Sequence, residues 1–353
     1  MTPTLTTRPR PHHRRLRGIV ATAAAVALGA ALAACGSSSN AGASDSGSTI
    51  HVAYMPDVHG AGLIAIGEKQ GYWKDAGITV DAKQFADGPT EIQAMASGDI
   101  DIAYIGPGAT WMAATGRAVV VTADSLNIGD YLIGQSDISD LGQLKGAKVG
   151  YPEGTSGEMI LRLALQKSGL TMSDIDAVPL DADAVVPAFV GGKIDVAAIW
   201  APLSEEIRTR VPDANFLVSD KDFSDEYSFP QSWVASKDFV ENHPDELQSF
   251  LQGFAASNDF RAKNLDKAVT ITADYTKVDP KNLQAQVTTT TWLTSDQLKQ
   301  AYENGDAAGW YENLEKLFVD MGSMDKSVPA DDFTDFAGFG KAVAAAAGSD
   351  SAQ

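Results

Sequence analysis

Cysteine is nearly absent from this 353-residue chain: Cys35 stands alone, so no intrachain disulfide can staple the fold and core burial must hold it. Histidine is scarce too, and only His51, His59 and His243 follow position 35, too scattered for a metal cluster. Basic residues are few. None of the 46 acidic residues precedes Cys35 while five of the 27 basic ones do, so the remainder carries a formal charge of −24, which argues against nucleic acid as a partner. After residue 34 no long hydrophobic run occurs. The sequence also lacks a Gly-x-Ser-x-Gly elbow, a Walker-type phosphate loop, a histidine pair at metal spacing and a cysteine nucleophile. No enzyme is expected, and no cofactor or metal.

What is present begins with an export signal. Arg8, Arg10, Arg14, Arg15 and Arg17 precede Gly18 to Leu32, an Ala/Val/Leu stretch about as long as a signal h-region and short for a membrane span. Leu32-Ala33-Ala34-Cys35-Gly36 closes it and resembles the bacterial lipoprotein box, in which that thiol is diacylated and becomes the new N-terminus. Residues 1–34 are therefore read as a lipoprotein signal peptide, with general secretion or twin-arginine export both open. A lipid on Cys35 holds the chain on the outer face of the cell membrane at about 0.8 kcal/mol per buried methylene. An ordinary secretory signal with an incidental cysteine is the alternative. Residues 35–49 read as a flexible tether and 341–353 as a flexible tail.

Short apolar runs alternate with helical patterns, the signature of β-α-β units and a mostly parallel sheet. Strands are expected at His51 to Met55, Ile78 to Phe85, Ile100 to Ile105, Ala118 to Thr122, Val149 to Tyr151 and Ala177 to Leu180. Helices are expected at Leu63 to Trp73, Pro89 to Ser97, Thr110 to Thr115 and Gly157 to Lys167, and the pattern after Trp233 is helical to about Met321. One segment occurs twice. Gly98-Asp-Ile-Asp101-Ile-Ala-Tyr-Ile105 and Gly192-Lys-Ile-Asp195-Val-Ala-Ala-Ile199 match at a constant offset, each after an amphipathic helix and each before a loop. Two similar α/β lobes explain the match economically, and the length after the signal also exceeds what one core usually supports.

In a doubly wound lobe, ligands bind outside the carboxyl ends of the strands. Four such ends stand out: Met55 to Gly60, Ile105 to Ala109, Tyr151 to Gly157 and Trp200 to Pro202. The second and third run into helices, where glycines admit close backbone approach and free N–H groups favour an anion. The competing reading is that Gly106, Gly108 and Gly157 only make turns and that Thr155 or Ser156 only caps a helix. Arg117, Arg162, Arg208, Arg210 and Arg261 are the arginines after the signal, and none lies in these loops.

The run from Ala53 to about Phe239 resembles the solute-binding proteins of nitrate, sulfonate and taurine importers, relatives of the thiamine-pyrimidine proteins. Gly71-Tyr72-Trp73-Lys74, Gly77-Ile78-Thr79-Val80, Phe85-Ala86-Asp87-Gly88, Met95-Ala-Ser-Gly98-Asp-Ile-Asp101, Leu144-Lys-Gly146-Ala-Lys148-Val149-Gly150, Ile199-Trp200-Ala201-Pro202 and Ser236-Lys237-Asp238-Phe239 carry the likeness. It implies a type II periplasmic-binding-protein fold, two doubly wound lobes joined by two hinge strands. Lobe 1 would be 50–128 with 229–340, and lobe 2 would be 129–228.

It also implies an importer of the ATP-binding-cassette type as partner, a monomer, and a small organic anion of the sulfonate/taurine class as ligand. Nitrate, a thiamine-type pyrimidine or a sensor role on the same fold are the alternatives. The candidate ligand set is Asp57, His59, Gly60, Gly106, Gly108, Ala109, Asn127, Glu153, Thr155, Ser156, Gly157, Trp200, Gln231 and Trp233, of which the resemblance itself carries over Gly106 to Ala109, Thr155 to Gly157 and the position of Gln231 before Trp233. Gln231 departs from the acid that taurine-binding members place before the aromatic of the last hinge strand. Unless Asp57, Glu153 or Glu226 replaces that charge, simple alkanesulfonates are expected to bind more tightly than taurine.

Overall fold

The computed structural model describes residues 47–350, with side chains to residue 344, and the signal peptide, Cys35 and most of the tether lie outside the described residues. Its strands are, in chain order, β1 (Ser48–Tyr54), β2 (Ile78–Gln84), β3 (Ile102–Ile105), β4 (Val119–Asn127), β5 (Asp130–Gly134) and β6 (Lys148–Tyr151). They continue as β7 (Asp176–Pro179), β8 (Val196–Trp200), β9 (Asn215–Ser219), β10 (Pro230–Ala235) and β11 (Thr290–Trp292). These strands form two sheets, ordered β11-β4-β10-β3-β1-β2 and β7-β6-β8-β5-β9. In the first, β1 runs parallel to β2 and β3 while β10 runs antiparallel to β3 and β4. In the second, β6 runs parallel to β7 and β8 while β5 runs antiparallel to β8 and β9. The chain leaves the first sheet between Asn127 and Asp130 and returns to it between Ser219 and Pro230.

Apolar residues alternate along the inner strands and so serve both faces of each sheet. In the first sheet Val52, Tyr104, Ala123 and Trp233 pack with Phe250 and Phe254 on one side, and Ala53, Ala103, Ile105 and Val234 pack with Met95, Tyr311 and Leu314 on the other. The second sheet repeats this, with Leu132, Val149 and Ala198 against Ile160 and Ala164, and Ile133, Ala197 and Ile199 against Val186 and Phe189. Helix ends follow local chemistry. Asp87 caps the helix Gly88–Ala96 by accepting from Thr90 N–H at 2.9 Å, and Thr155 caps Ser156–Ser168 by accepting from Gly157 N–H at 3.1 Å.

The repeated segment occupies equivalent places. Ile102 pairs with Val52 in the first sheet as Val196 pairs with Val149 in the second. Each repeated aspartate ties its strand to the neighbour: the Asp101 carboxylate accepts from His51 N–H and the Asp195 carboxylate from Lys148 N–H, both at 2.8 Å. Each repeated glycine has a positive φ, 82° at Gly98 and 61° at Gly192, where the preceding helix turns toward the strand.

Three expectations about extent change. β1 begins at Ser48, inside the expected tether, because Ser48 and Thr49 pair with Ile78 and Thr79. Residues 341–350 are not a loose tail but continue the helix Ala337–Asp350, with Phe339, Ala342 and Val343 packed into the core of the first sheet. The helical run after Trp233 is interrupted by β11, which pairs Thr290 with Asn127 at the edge of the first sheet.

Candidate functional site

A pocket lies between the sheets at the carboxyl ends of β1, β3 and β8, lined by Met55, Asp57, His59, Gly88, Pro89, Tyr104, Gly106, Ala109, Asn127, Asp130, Thr155, Ser156, Trp200, Ala201, Gln231 and Gln286. Of the fourteen residues implied by sequence, it brings together Asp57, His59, Gly106, Ala109, Asn127, Thr155, Ser156, Trp200 and Gln231.

The other five do not line it. Glu153 is exposed and does not line the pocket, and the same holds for Glu226. Trp233 is fully buried in the core, where its Nε1 donates to Asp124 Oδ2 at 3.2 Å. Gly60 starts the helix Gly60–Gln70 and its N–H is taken by Asp57 Oδ1 at 2.7 Å. Gly108 donates its N–H to Ser156 Oγ at 3.2 Å, and Gly157 donates its N–H to Thr155 Oγ1. The two loops expected to offer backbone donors have thus spent several of them on the fold. Ser156, at the first helical position, still has an N–H with no acceptor in its own helix.

Contacts cross between the sheets around the pocket. Besides the Gly108 to Ser156 bond, Trp111 Nε1 donates to Gly154 O at 3.2 Å. Gln286 bridges more fully: its Oε1 accepts from Val58 N–H at 2.8 Å, beyond β1, and its Nε2 donates to Ala201 O at 2.9 Å, beyond β8. Gln286 was invisible to the sequence reading because it sits on a helix, Pro280–Thr288, that carries no motif.

The polar groups inside have defined orientations. Burial keeps the Tyr104 phenol protonated well above its ordinary range, so it donates to Gln231 Oε1 at 2.5 Å and leaves the Gln231 amide N–H facing outward as a donor. Asn127 Oδ1 is occupied by Gly129 N–H at 3.1 Å and by the Thr289 and Thr290 hydroxyls, so Asn127 too has its N–H groups to offer. His59 is stacked on Trp292 at 4.6 Å and has its Nδ1 3.0 Å from Ser125 Oγ and its Nε2 3.3 Å from Thr290 Oγ1.

Acids dominate the charge. Asp57 is buried, which raises its carboxyl to about 6 despite the His59 ring and the Gly60 N–H. Asp130 is likewise raised by burial to about 6, and burial also holds Glu91, behind the pocket on the helix Gly88–Ala96, well above the ordinary range. Behind the Asp57 loop lies a fully buried ion pair, Arg261 with Asp124 at 3.3 Å. Arg261 also donates to Val58 O at 3.1 Å and His59 O at 2.9 Å. Burial opposes charge on Asp124, but the guanidinium and the His59 and Ser125 hydrogen bonds hold its carboxyl below the ordinary range. No arginine lies in the four loops, as the sequence shows, but one stands behind them. Arg261 supports one of them from behind, with its charge already matched.

Two sheets of this topology, crossed twice by the chain and enclosing a polar pocket between their strand ends, define the fold of the periplasmic binding proteins. A model of the family described as NMT1/THI5 like matches residues 60–268, and the chain belongs to that family. A binding protein of Brucella abortus (strain 2308) is 35% identical over 284 residues, covering 80% of this chain and 89% of that protein. The taurine-binding periplasmic protein of Escherichia coli (strain K12) is 29% identical over 182 residues, 50% of this chain and 56% of that protein. Among solved structures, the periplasmic aliphatic sulphonate binding protein of Escherichia coli superposes with a TM-score of 0.63 at 19% identity, over 82% of this chain and 92% of that one, a likeness of fold.

Proposed function

We propose that this protein is the extracytoplasmic binding component of an importer of the ATP-binding-cassette type, and that its ligand is a small amino-sulfonate of the taurine kind. One observation carries the ligand class: the carboxyls of Asp57 and Asp130 line the same pocket as Ser156, at the start of a thirteen-residue helix, and the Asn127 and Gln231 amides. A helix start with amide N–H groups suits a sulfonate. Two buried carboxyls without a lysine or arginine among the lining residues suit an ammonium. A simple alkanesulfonate would leave those acids unmatched. The lobe boundaries 50–128 with 229–340 and 129–228 are proposed as the moving bodies, with Trp200 against the organic part of the ligand.

Hydrogen bonds to charged groups contribute about 1.5–3 kcal/mol each, so four or five suffice for the roughly 8 kcal/mol of micromolar binding. This reading reverses the order expected from Gln231 alone, because Asp57 lines the pocket and can provide the carboxyl that Gln231 does not. Titration calorimetry should show taurine binding at least tenfold more tightly than ethanesulfonate, and Asp57→Asn should narrow that gap. Tighter binding of ethanesulfonate, or a thermal shift with nitrate or an aminopyrimidine alone, would overturn the amino-sulfonate reading.

The lipid on Cys35 is part of the same proposal. Cys35→Ser should move the protein from the membrane fraction to the medium, or leave an uncleaved precursor, with the affinity of the released protein unchanged. Normal incorporation of labelled fatty acid into that variant would refute the anchor.

A further inference from the structure

Asp130 and Asp220 stand on the two passages of the chain between the sheets. Asp130 opens β5 just after the first passage, and Asp220 follows β9 at the start of the second. Both are essentially inaccessible, and only Asp130 reaches the pocket. The backbone N–H of Asp130 donates to Asp220 Oδ2 at 3.3 Å, which draws the two carboxyls together.

Each carboxyl keeps one buried oxygen, Oδ2 of Asp130 and Oδ1 of Asp220, without an N–H or O–H partner among the described residues. Two ionised carboxylates in that position would repel each other in a medium that screens poorly. One proton between them removes the repulsion and gives the orphaned oxygens a shared hydrogen bond. Burial acts in the same direction, and Asp220, facing Asp130, is held well above the ordinary range.

Among the described residues, no lysine or arginine is a leading influence on either carboxyl. Ser156, at the start of its helix, and the His59 ring, before the helix Gly60–Gln70, face Asp130. Two phenols feel its charge, Tyr104 on β3 and Tyr131 on β5, and Tyr131 also feels Asp220. The guanidinium that acts on Tyr131 is that of Arg208, already paired with Glu205 at 3.0 Å.

We propose that Asp130 and Asp220 hold one proton between them, and that a ligand ammonium seated on Asp130 expels it, so that capture releases a proton to solvent. The inference rests on the amino-sulfonate reading. No covalent bond changes: the ammonium keeps its own protons, the pair loses one, and the arriving positive charge balances the one that leaves. Asp220 is then a positioning residue, which sets the charge of Asp130 without touching the ligand. Because protons are released, binding tightens with rising pH while the pair is protonated, by up to about tenfold per unit.

The exported protein, purified, should be titrated with taurine at pH 6 in phosphate and in imidazole, whose ionisation enthalpies differ. The dependence of the apparent heat on buffer counts the protons released. Wild type should release more protons than Asp220→Asn, in which burial alone leaves Asp130 only partly protonated at pH 6. Asp57 titrates alike in both proteins, so the difference isolates the pair. Equal release from both, with taurine bound by both, would overturn the inference while leaving the amino-sulfonate reading intact.

If taurine binds neither protein, that reading fails and the pair is still testable without ligand. The infrared carbonyl band of a protonated carboxyl should be stronger in wild type than in Asp220→Asn at pH 6. Should Asp220→Asn not fold, the same band in wild type must weaken when taurine is added, and an unchanged band would count against the proposal.

Discussion

Gly108→Ala should cost at least a hundredfold in ligand affinity, about 2.7 kcal/mol, while both sheets stay folded. A Cβ built on Gly108 lies 2.2 Å from the backbone nitrogen of Ser156 and 2.3 Å from the carbonyl carbon of Thr155. Those are backbone atoms of the opposite loop, at the start of a capped helix, and no rotamer change can move them away. Gly108 does not have a positive φ, so alanine is conformationally acceptable there and the obstacle is the close approach alone. The added methyl must therefore part the two loops and break the bond from Gly108 N–H to Ser156 Oγ. Gly106→Ala is the milder comparison, because its nearest neighbour is the movable Ser156 hydroxyl at 2.9 Å. Calorimetry with taurine, alongside small-angle scattering for a more open shape and urea denaturation for fold stability, checks the expectation. Wild-type affinity in Gly108→Ala would show that ligand capture does not need these loops in contact.

Arg261→Met should destabilise the protein by about 3–5 kcal/mol, the usual penalty for leaving a buried charge without its partner. Arg261 and Asp124 are both fully buried, and the guanidinium also satisfies Val58 O, His59 O and Asn258 Oδ1, the last at 2.7 Å. Removing it takes a partner from one carboxylate and three carbonyl oxygens at once. The double variant Arg261→Met with Asp124→Asn should recover part of the loss, since it removes the unmatched charge. The pH dependence has a definite sign. Asp124 is lowered in the folded state, so its contribution is present above the unfolded aspartate value near 3.9 and is lost as pH falls through the lower folded value. The gap between wild type and Arg261→Met should therefore shrink in acid. Urea denaturation at pH 7 and below pH 4 measures it, and a gap independent of pH would mean that packing of the long side chain, not charge, sets the cost.

The strands and helix caps were readable because their signals are local. Gly98 closes the expected helix before β3, Thr155 or Ser156 marks a helix start, and short apolar runs mark β1 and β6. The pairing of Asp124 with Arg261 was not readable, because 137 residues separate them and an arginine within an amphipathic helix looks like any solvated charge. β11 escaped notice for a similar reason: three residues at a sheet edge cannot establish a period against a long helical run. In the site, the loops lie at the pocket, but some of their N–H groups are bonded within the fold. Which N–H is free depends on partners such as Ser156 Oγ that only the tertiary fold supplies. The acidic character of the pocket emerged only when Asp57 and Asp130 met across the two sheets.

The twin aspartates at 101 and 195 make the chain its own reference sample. The same carboxylate-to-backbone bond, at the same length, is set once in a half-buried place and once in an exposed one. Whatever separates the two alanine variants is then a reading of surroundings, taken on one fold and in one buffer.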